Sequence, residues 1–240
     1  MPQANIFQWR DGSLNSDGSQ HIAGALILSG GAASALAVGE IEALALGKAL
    51  PGEAMAYIFA AGDIETADRH LAALEDGGAP TGYLVDVQTE DDQTVKAQLS
   101  EAGLIIIGDG DNPGALRGGL SGAALEGITE AYERGVSVLA IGIGAVVFGQ
   151  KYAGGAPAAI IRDGLAWLQR GLIVPHYLAE RDADRVRGLL TQTPELYALT
   201  LGTDTALMLG GDGTVEVWGE RAIGVTLGAG YIPARTSQSE

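Results

Sequence analysis

Four short glycine-containing stretches fall where a strand should end: Ser29-Gly30-Gly31, Ala61-Gly62-Asp63, Gly108-Asp109-Gly110-Asp111-Asn112 and Gly142-Ile143-Gly144-Ala145. In an open parallel sheet, ligands bind beyond the carboxyl ends of the strands, so these stretches are the first candidates for chemistry. The last of them leads from an apolar strand into what reads as a helix over Ala145–Gly149. A tight strand–turn–helix bend of this kind can expose a nucleophile beside free backbone N–H groups. Here the residue at the bend is Gly142, which has no hydroxyl to expose. His176 follows Pro175 at the end of another apolar run. An imidazole there can act as a general base or as a structural hydrogen-bonding group. It could activate a water, but no metal or carboxylate to assist it is evident from the sequence.

These residues need a scaffold, and the hydropathy pattern supplies one. Ala25–Leu28, Ala56–Ala60, Tyr83–Val87, Leu104–Ile107 and Val136–Ile141 are strand-sized and apolar on both faces, as strands covered on two sides must be. Between them, Ala33–Leu46, Ile64–Glu75, Thr89–Leu99 and Ala123–Arg134 repeat apolar residues at helical intervals. Asp63 is placed to cap the second helix and Gly77-Gly78 to stop it. Alternation of this kind predicts an α/β fold, a three-layer α/β/α sandwich with a mostly parallel central sheet. After residue 170 the runs Leu172–Val174, Tyr197–Leu201, Ala206–Leu209, Val215–Trp218 and Ile223–Leu227 are short and Gly-linked, with a helix over Asp182–Leu190. They predict antiparallel strands on one edge of that sheet, with a hairpin at Gly210-Gly211-Asp212-Gly213. The 240 residues read as a single domain, with an irregular lead-in over 1–22 and a flexible tail over 233–240.

Composition narrows the function. Thirty acidic against 14 basic side chains give a net charge of -16, which repels phosphate and argues against nucleic acid as a partner. With 47% hydrophobic residues and no cysteine, the chain has a core and lacks thiolate chemistry, disulfides and Cys-based zinc sites. The start lacks a basic region followed by an apolar stretch, and Gly interrupts every long apolar run. A cytoplasmic protein without a membrane partner is the expectation.

Other features read as structural. Asp109-Gly-Asp111-Asn112 opens like a calcium loop, but the twelfth position is Leu120 rather than Glu. Gly142-x-Gly144 could begin a dinucleotide fingerprint with Asp163 as its acidic partner, but Val147 occupies the third glycine position. His21 and His70 read as surface residues, and three scattered histidines provide no metal spacing. No cofactor or metal is therefore expected. Arg181, Arg185 and Arg187 alternate with Asp182 and Asp184, as on a solvated helix face laced with ion pairs. Ser121 reads as a helix cap, and Ser29 lies near the crevice but on no elbow.

The ordered set resembles the cyanophycinase and dipeptidase E group of serine peptidases, which share a class I glutamine amidotransferase-like fold. Leu28-Ser29-Gly30-Gly31 echoes the group's first strand end, and Gly108-Asp109-Gly110-Asp111-Asn112 its Gly-Gly-Asp/Asn-Gln segment. Ala140-Ile-Gly142-Ile-Gly144-Ala145 stands at its Gly-Thr-Ser-Ala-Gly-Ala elbow, and Val174-Pro175-His176-Tyr177 at its catalytic histidine. Leu201-Gly202-Thr203-Asp204-Thr205-Ala206-Leu207 and Glu216-Val217-Trp218-Gly219 follow in order. Placed this way, Gly142 replaces the nucleophilic serine, and Thr203 replaces the acidic third member unless Asp204 serves instead. Without the attacking atom the acyl-enzyme route is closed. The resemblance then implies a catalytically inactive relative. Its crevice would bind a small acidic or peptide ligand through Gly30, Gly31, Gly110, Asp111, Asn112, Ile143 and Gly144, with the N–H groups of Ile143 and Gly110 forming an anion nest, or the protein would serve only as a structural scaffold for assembly. Two alternatives are a hydrolase of peptide or amide bonds with another nucleophile, and a nucleotide-binding oxidoreductase. The resemblance and the seemingly exposed Trp167 and Trp218 also suggest a homo-oligomer.

Overall fold

The structure, a computed structural model, describes residues 7–9, 23–32, 38–154, 160–219 and 223–233. Five parallel strands form the body of the first sheet: β1 (Ala25–Ser29), β2 (Met55–Ile58), β3 (Gly82–Val85), β4 (Leu104–Ile107) and β5 (Ser137–Ile141). Two more, β10 (Ala206–Gly210) and β11 (Val215–Trp218), extend it antiparallel beyond β1, giving the order β11-β10-β1-β5-β4-β2-β3. The sequence Leu104-Ile-Ile-Ile107 shows why the strands are apolar throughout. Leu104 and Ile106 face one core, and Ile105 and Ile107 face the other.

Helices α1 (Glu40–Leu46) and α2 (Ile64–Asp76) cover one face of this sheet. The Asp63 carboxylate caps α2 by accepting from the Thr66 N–H at 2.8 Å. Helices α3 (Asp92–Ser100), α4 (Pro113–Gly119) and α5 (Ala123–Glu133) lie on the other face. Sequence reading did not separate α4, which Asn112 caps through the Ala115 N–H. The cap of α5 is Gly122, while the Ser121 hydroxyl donates to the Gly118 carbonyl. Residues 33–37 of the helix expected over Ala33–Leu46 lie outside the described residues, as do His21 and most of the N-terminal lead-in.

The expected sandwich and its antiparallel edge are present, and a second sheet that the sequence did not separate is added to them. The one-turn helix α6 (Ile143–Val146) gives way to β6 (Gly149–Gly154), where the sequence suggested that the helix continues. Strand β6 joins β7 (Ile160–Asp163), β8 (Leu168–Val174), β9 (Tyr197–Thr200) and β12 (Gly224–Leu227) in the order β12-β9-β8-β6-β7. Strands β6, β8 and β9 are parallel, with antiparallel edges. Ile173, Tyr197 and Leu199 pack into the first sheet's core, while Leu172, Val174 and Ala198 pack under helix α7 (Ala179–Gln192). Thus β8 and β9 are apolar on both faces because they lie between a sheet and a helix. An apolar run records that burial without naming the sheet to which it belongs.

The two sheets meet at the crevice. The His176 N–H donates to the Gly30 carbonyl at 2.9 Å, and the Tyr177 N–H donates to the Leu201 carbonyl at 3.0 Å. The carboxyl end of β8 is thereby fixed against that of β1. Among the described residues, no helix is long and apolar enough to cross a membrane.

A carboxylate–imidazole centre at the strand ends

Strand β5 ends in a bend at Gly142, whose φ of 54° and ψ of -119° are sparsely populated by L-residues. The Gly142 N–H donates to the Ser29 carbonyl at 3.0 Å, tying the bend to β1. This is the backbone geometry of an elbow, and no side chain arises from it. Asp109, two residues beyond the end of the neighbouring β4, fills the space instead. Its carboxylate lies so close that a Cβ built on Gly142 would be 2.3 Å from Cγ and both carboxylate oxygens.

Asp109 uses its two oxygens differently. Oδ1 accepts from the Ile143 N–H and from its neighbour Gly110 N–H, both at 2.8 Å. Oδ2 lies 2.9 Å from Nε2 of His176. The two N–H groups expected to form an anion nest both donate to this side chain of the same chain. Burial alone would push the Asp109 carboxyl up. The His176 hydrogen bond, the Ile143 N–H, the imidazolium charge and the Gly110 N–H outweigh it and hold the group below the usual carboxylate range. The hydrogen bond to Asp109 in turn holds His176 above the ordinary imidazole value, against burial and the nearby Arg181 charge. The two side chains are 35% and 36% exposed, so solvent or a ligand can reach them.

Two features besides Asp109 hold His176 in place. Gly31, at a φ of 100°, leaves room for it, because a Cβ there would be 2.1 Å from Cε1 of His176. The His176 backbone has a φ of 49°, and its carbonyl accepts from Nη2 of Arg181 at 2.6 Å. Arg181 also pairs with the buried Asp182, which accepts from the Leu178 N–H at 2.9 Å. Arg187 pairs with Asp184, in keeping with a helix face laced with ion pairs.

The remaining expected residues fall into place unevenly. Thr203 and Asp204 form the turn after β9, where the Asp204 N–H donates to the Gly31 carbonyl at 2.9 Å. The carboxylate on Nε2 of His176 belongs to Asp109, a partner that was not evident from the sequence. The N–H groups of Asp111 and Asn112 both donate to the Ala61 carbonyl, and the Asn112 side chain is spent on capping α4. Gly144 serves packing, since a Cβ there would meet the Ile107 carbonyl at 2.5 Å. Ser29 is buried, its hydroxyl oxygen accepting from the Gly31 N–H at 3.2 Å. A dinucleotide at the Gly142–Gly144 turn would have to displace Asp109 from the Ile143 N–H, and Asp163 is paired with Lys151 at 2.6 Å.

Beside Asp109 lies a cavity of about 260 Å³, lined among others by Tyr57, Phe59, Thr66, His70 and Gly110. His70 is 6% exposed, not a surface residue as its charged neighbours suggested. Ala67, His70, Leu71 and Leu74 share the buried face of α2 at helical spacing, a pattern legible in the sequence. Tyr57 Oη and His70 Nδ1 are 2.9 Å apart, while His70 Nε2 is buried without a partner. Burial holds His70 below the ordinary imidazole value, and it pushes Tyr57 well up, with the charges of Asp109 and Glu42 adding to the effect. Trp167 and Trp218, at 4% and 8% exposure, are core residues and do not support the homo-oligomer inference drawn from them.

Asp109 was legible as a departure. It separates Gly108 from Gly110 where the resembling group has adjacent glycines, and this chain also lacks the elbow serine.

The two sheets and the elbow at β5 define a class, an α/β protein with its crevice at the carboxyl ends of the central strands. Comparison with solved structures specifies it. A peptidase from an acI-B1 Actinobacterium superposes with a TM-score of 0.70 over 92% of this chain and 96% of its own, at 19% identity. A protein assigned as peptidase E from Listeria monocytogenes EGD-e superposes with a TM-score of 0.62 over 83% of this chain and 100% of its own, at 17% identity. The chain therefore has the peptidase E fold. No protein-family model and no curated protein matches its sequence.

Proposed function

We infer that this protein uses the peptidase E fold without serine-peptidase chemistry, and that its crevice binds a small molecule in the cavity beside Asp109. One observation carries the reading: the Asp109 carboxylate and any side chain on Gly142 exclude each other at 2.3 Å. Acyl transfer by a serine needs an attacking hydroxyl at the elbow and free N–H donors for the substrate oxygen. The elbow has no hydroxyl, and the donors already serve Asp109.

The same geometry changes the ligand to be expected. An acidic ligand needs an open nest, whereas the nest here holds a carboxylate and the cavity borders Asp63 and Asp109. Like charges at close range repel, so a neutral, partly apolar molecule suits the site better. The cavity is smaller than the about 300–1,000 Å³ of sites that take drug-sized ligands. A fluorophosphonate probe should leave the protein unlabelled, and stoichiometric labelling of any serine would overturn the reading.

A further inference from the structure

We propose that Asp109 is a nucleophile toward saturated carbon, and that the protein hydrolyses small epoxides through an ester of Asp109. The Ile143 and Gly110 N–H groups both donate to Oδ1 of Asp109. Donors placed there stabilise charge that develops on Oδ1, which is the charge of a tetrahedral centre at Cγ of Asp109 itself. Such a centre forms when water attacks an Asp109 ester. Attack by Asp109 on an amide would put the charge on a substrate oxygen, for which these two donors are already engaged. The nest thus suits ester breakdown at Asp109 and not peptide cleavage.

The other oxygen suits ester formation. Oδ2 faces His176 Nε2 at 2.9 Å, and the centre remains about one-third exposed next to the cavity. An epoxide carbon placed there is attacked by Oδ2, and the ring C–O bond breaks. The alkoxide takes the proton from Nε2 of the imidazolium, leaving His176 neutral. Tyr57, which lines the same cavity, carries a hydroxyl that can hold the ring oxygen. With His70 protonated on Nδ1 and donating to Tyr57 Oη, the tyrosine proton is free for this bond.

Hydrolysis then closes the cycle. Neutral His176 takes a proton from water, whose oxygen bonds to Cγ while Oδ1 carries the negative charge. The Cγ–O bond to the alkyl group breaks, and the departing alkoxide takes the imidazolium proton. The proton of the new Asp109 acid returns to His176. One epoxide and one water give one vicinal diol, and no other reactant is required. The proposal goes beyond the binding reading and depends on it only for the cavity.

Styrene oxide tests it. The wild-type protein should form the diol above the buffer rate, and Asp109→Asn should lose that activity. His176→Gln should slow diol release by roughly 10²–10⁴-fold and accumulate a protein adduct with the mass of one epoxide, mapping to Asp109. A single turnover of the wild type in heavy-oxygen water should put the heavy atom into Asp109 and ordinary oxygen into the diol. The proposal falls if no diol forms, if folded His176→Gln gives no adduct, or if the heavy oxygen appears in the first diol. Styrene oxide that shifts the His176 resonances without reacting would also overturn it, while leaving the binding reading intact.

Discussion

Gly142 and Asp109 are complementary: the elbow carries no side chain, and the carboxylate from the adjacent loop fills the place a side chain on Gly142 would need, 2.3 Å away. Gly142→Ser should therefore be destabilising on two counts. A non-glycine residue at a φ of 54° costs about 1–3 kcal/mol, and forcing atoms into filled space costs about 1–3 kcal/mol more. Adding Asp109→Gly should recover part of that loss, giving a coupling of about 0.5–3 kcal/mol in a double-mutant cycle. Urea unfolding of the four proteins measures it. Additive losses would show that the two positions are not in contact.

The Asp109–His176 pair should shape stability against pH. Asp109 is held below its ordinary value, so its contribution is complete above about pH 3.9 and fades as pH falls through the lowered native value. His176 is held above its ordinary value, so its contribution is complete below about pH 6.5 and fades as pH rises through the raised native value. The pair is thus fully effective between those limits. His70, held low by burial, opposes it by favouring the unfolded chain as pH falls below about 6.5. The difference between wild type and Asp109→Asn removes that opposing effect and should be largest between about pH 4 and 6.5. In the same variant the His176 resonance should titrate at lower pH than in the wild type.

Much of the fold was legible because its elements have local causes. Leu104–Ile107 announced itself as a doubly buried strand, and Asp63 capped α2 as its side chain and position suggested. The second sheet was not legible. The composition of Leu172–Val174 is satisfied equally by pairing at the edge of one sheet or by lying between a sheet and a helix. Its partners β6 and β9 are set by tertiary packing. At the site, His176, Gly142 and the Ile143 N–H were found from sequence because a strand end and a bend fix them locally. Asp109 was missed because its role depends on the adjacency of β4 and β5. His70 was misread from its charged neighbours, although its helical spacing with Ala67, Leu71 and Leu74 placed it inside.

Tyr57→Phe tests how that buried histidine is held. The change removes the group 2.9 Å from Nδ1 and leaves both ring nitrogens of His70 without a partner. An orphaned buried polar atom costs about 1–3 kcal/mol. Following it with His70→Leu should restore part of the stability, because the apolar residue removes the unmet hydrogen-bonding demand. Urea midpoints for the single and double variants decide this. A loss for Tyr57→Phe well below that range would mean that water enters the cavity and satisfies the nitrogen.

Arg181 and Asp182 should govern the imidazole without touching it. Asp182 is buried at the start of α7, where it accepts from the Leu178 N–H and pairs with Arg181 at 2.7 Å. Arg181 passes that constraint to His176 by donating to its carbonyl, which matters because the His176 backbone sits at a φ of 49°. Asp182→Ala removes both the acceptor of the Leu178 N–H and the anchor of Arg181. Loss of a hydrogen bond to a charged group costs about 1.5–3 kcal/mol, and stability alone would not reveal a positioning role. The imidazole does. If the anchor holds His176 against Asp109, Asp182→Ala should move the His176 titration back toward its ordinary value, because the Asp109 bond that raises it is weakened. Asp182→Glu should preserve more of the shift than Ala. A variant that loses stability while keeping the wild-type titration would assign Asp182 to the helix alone.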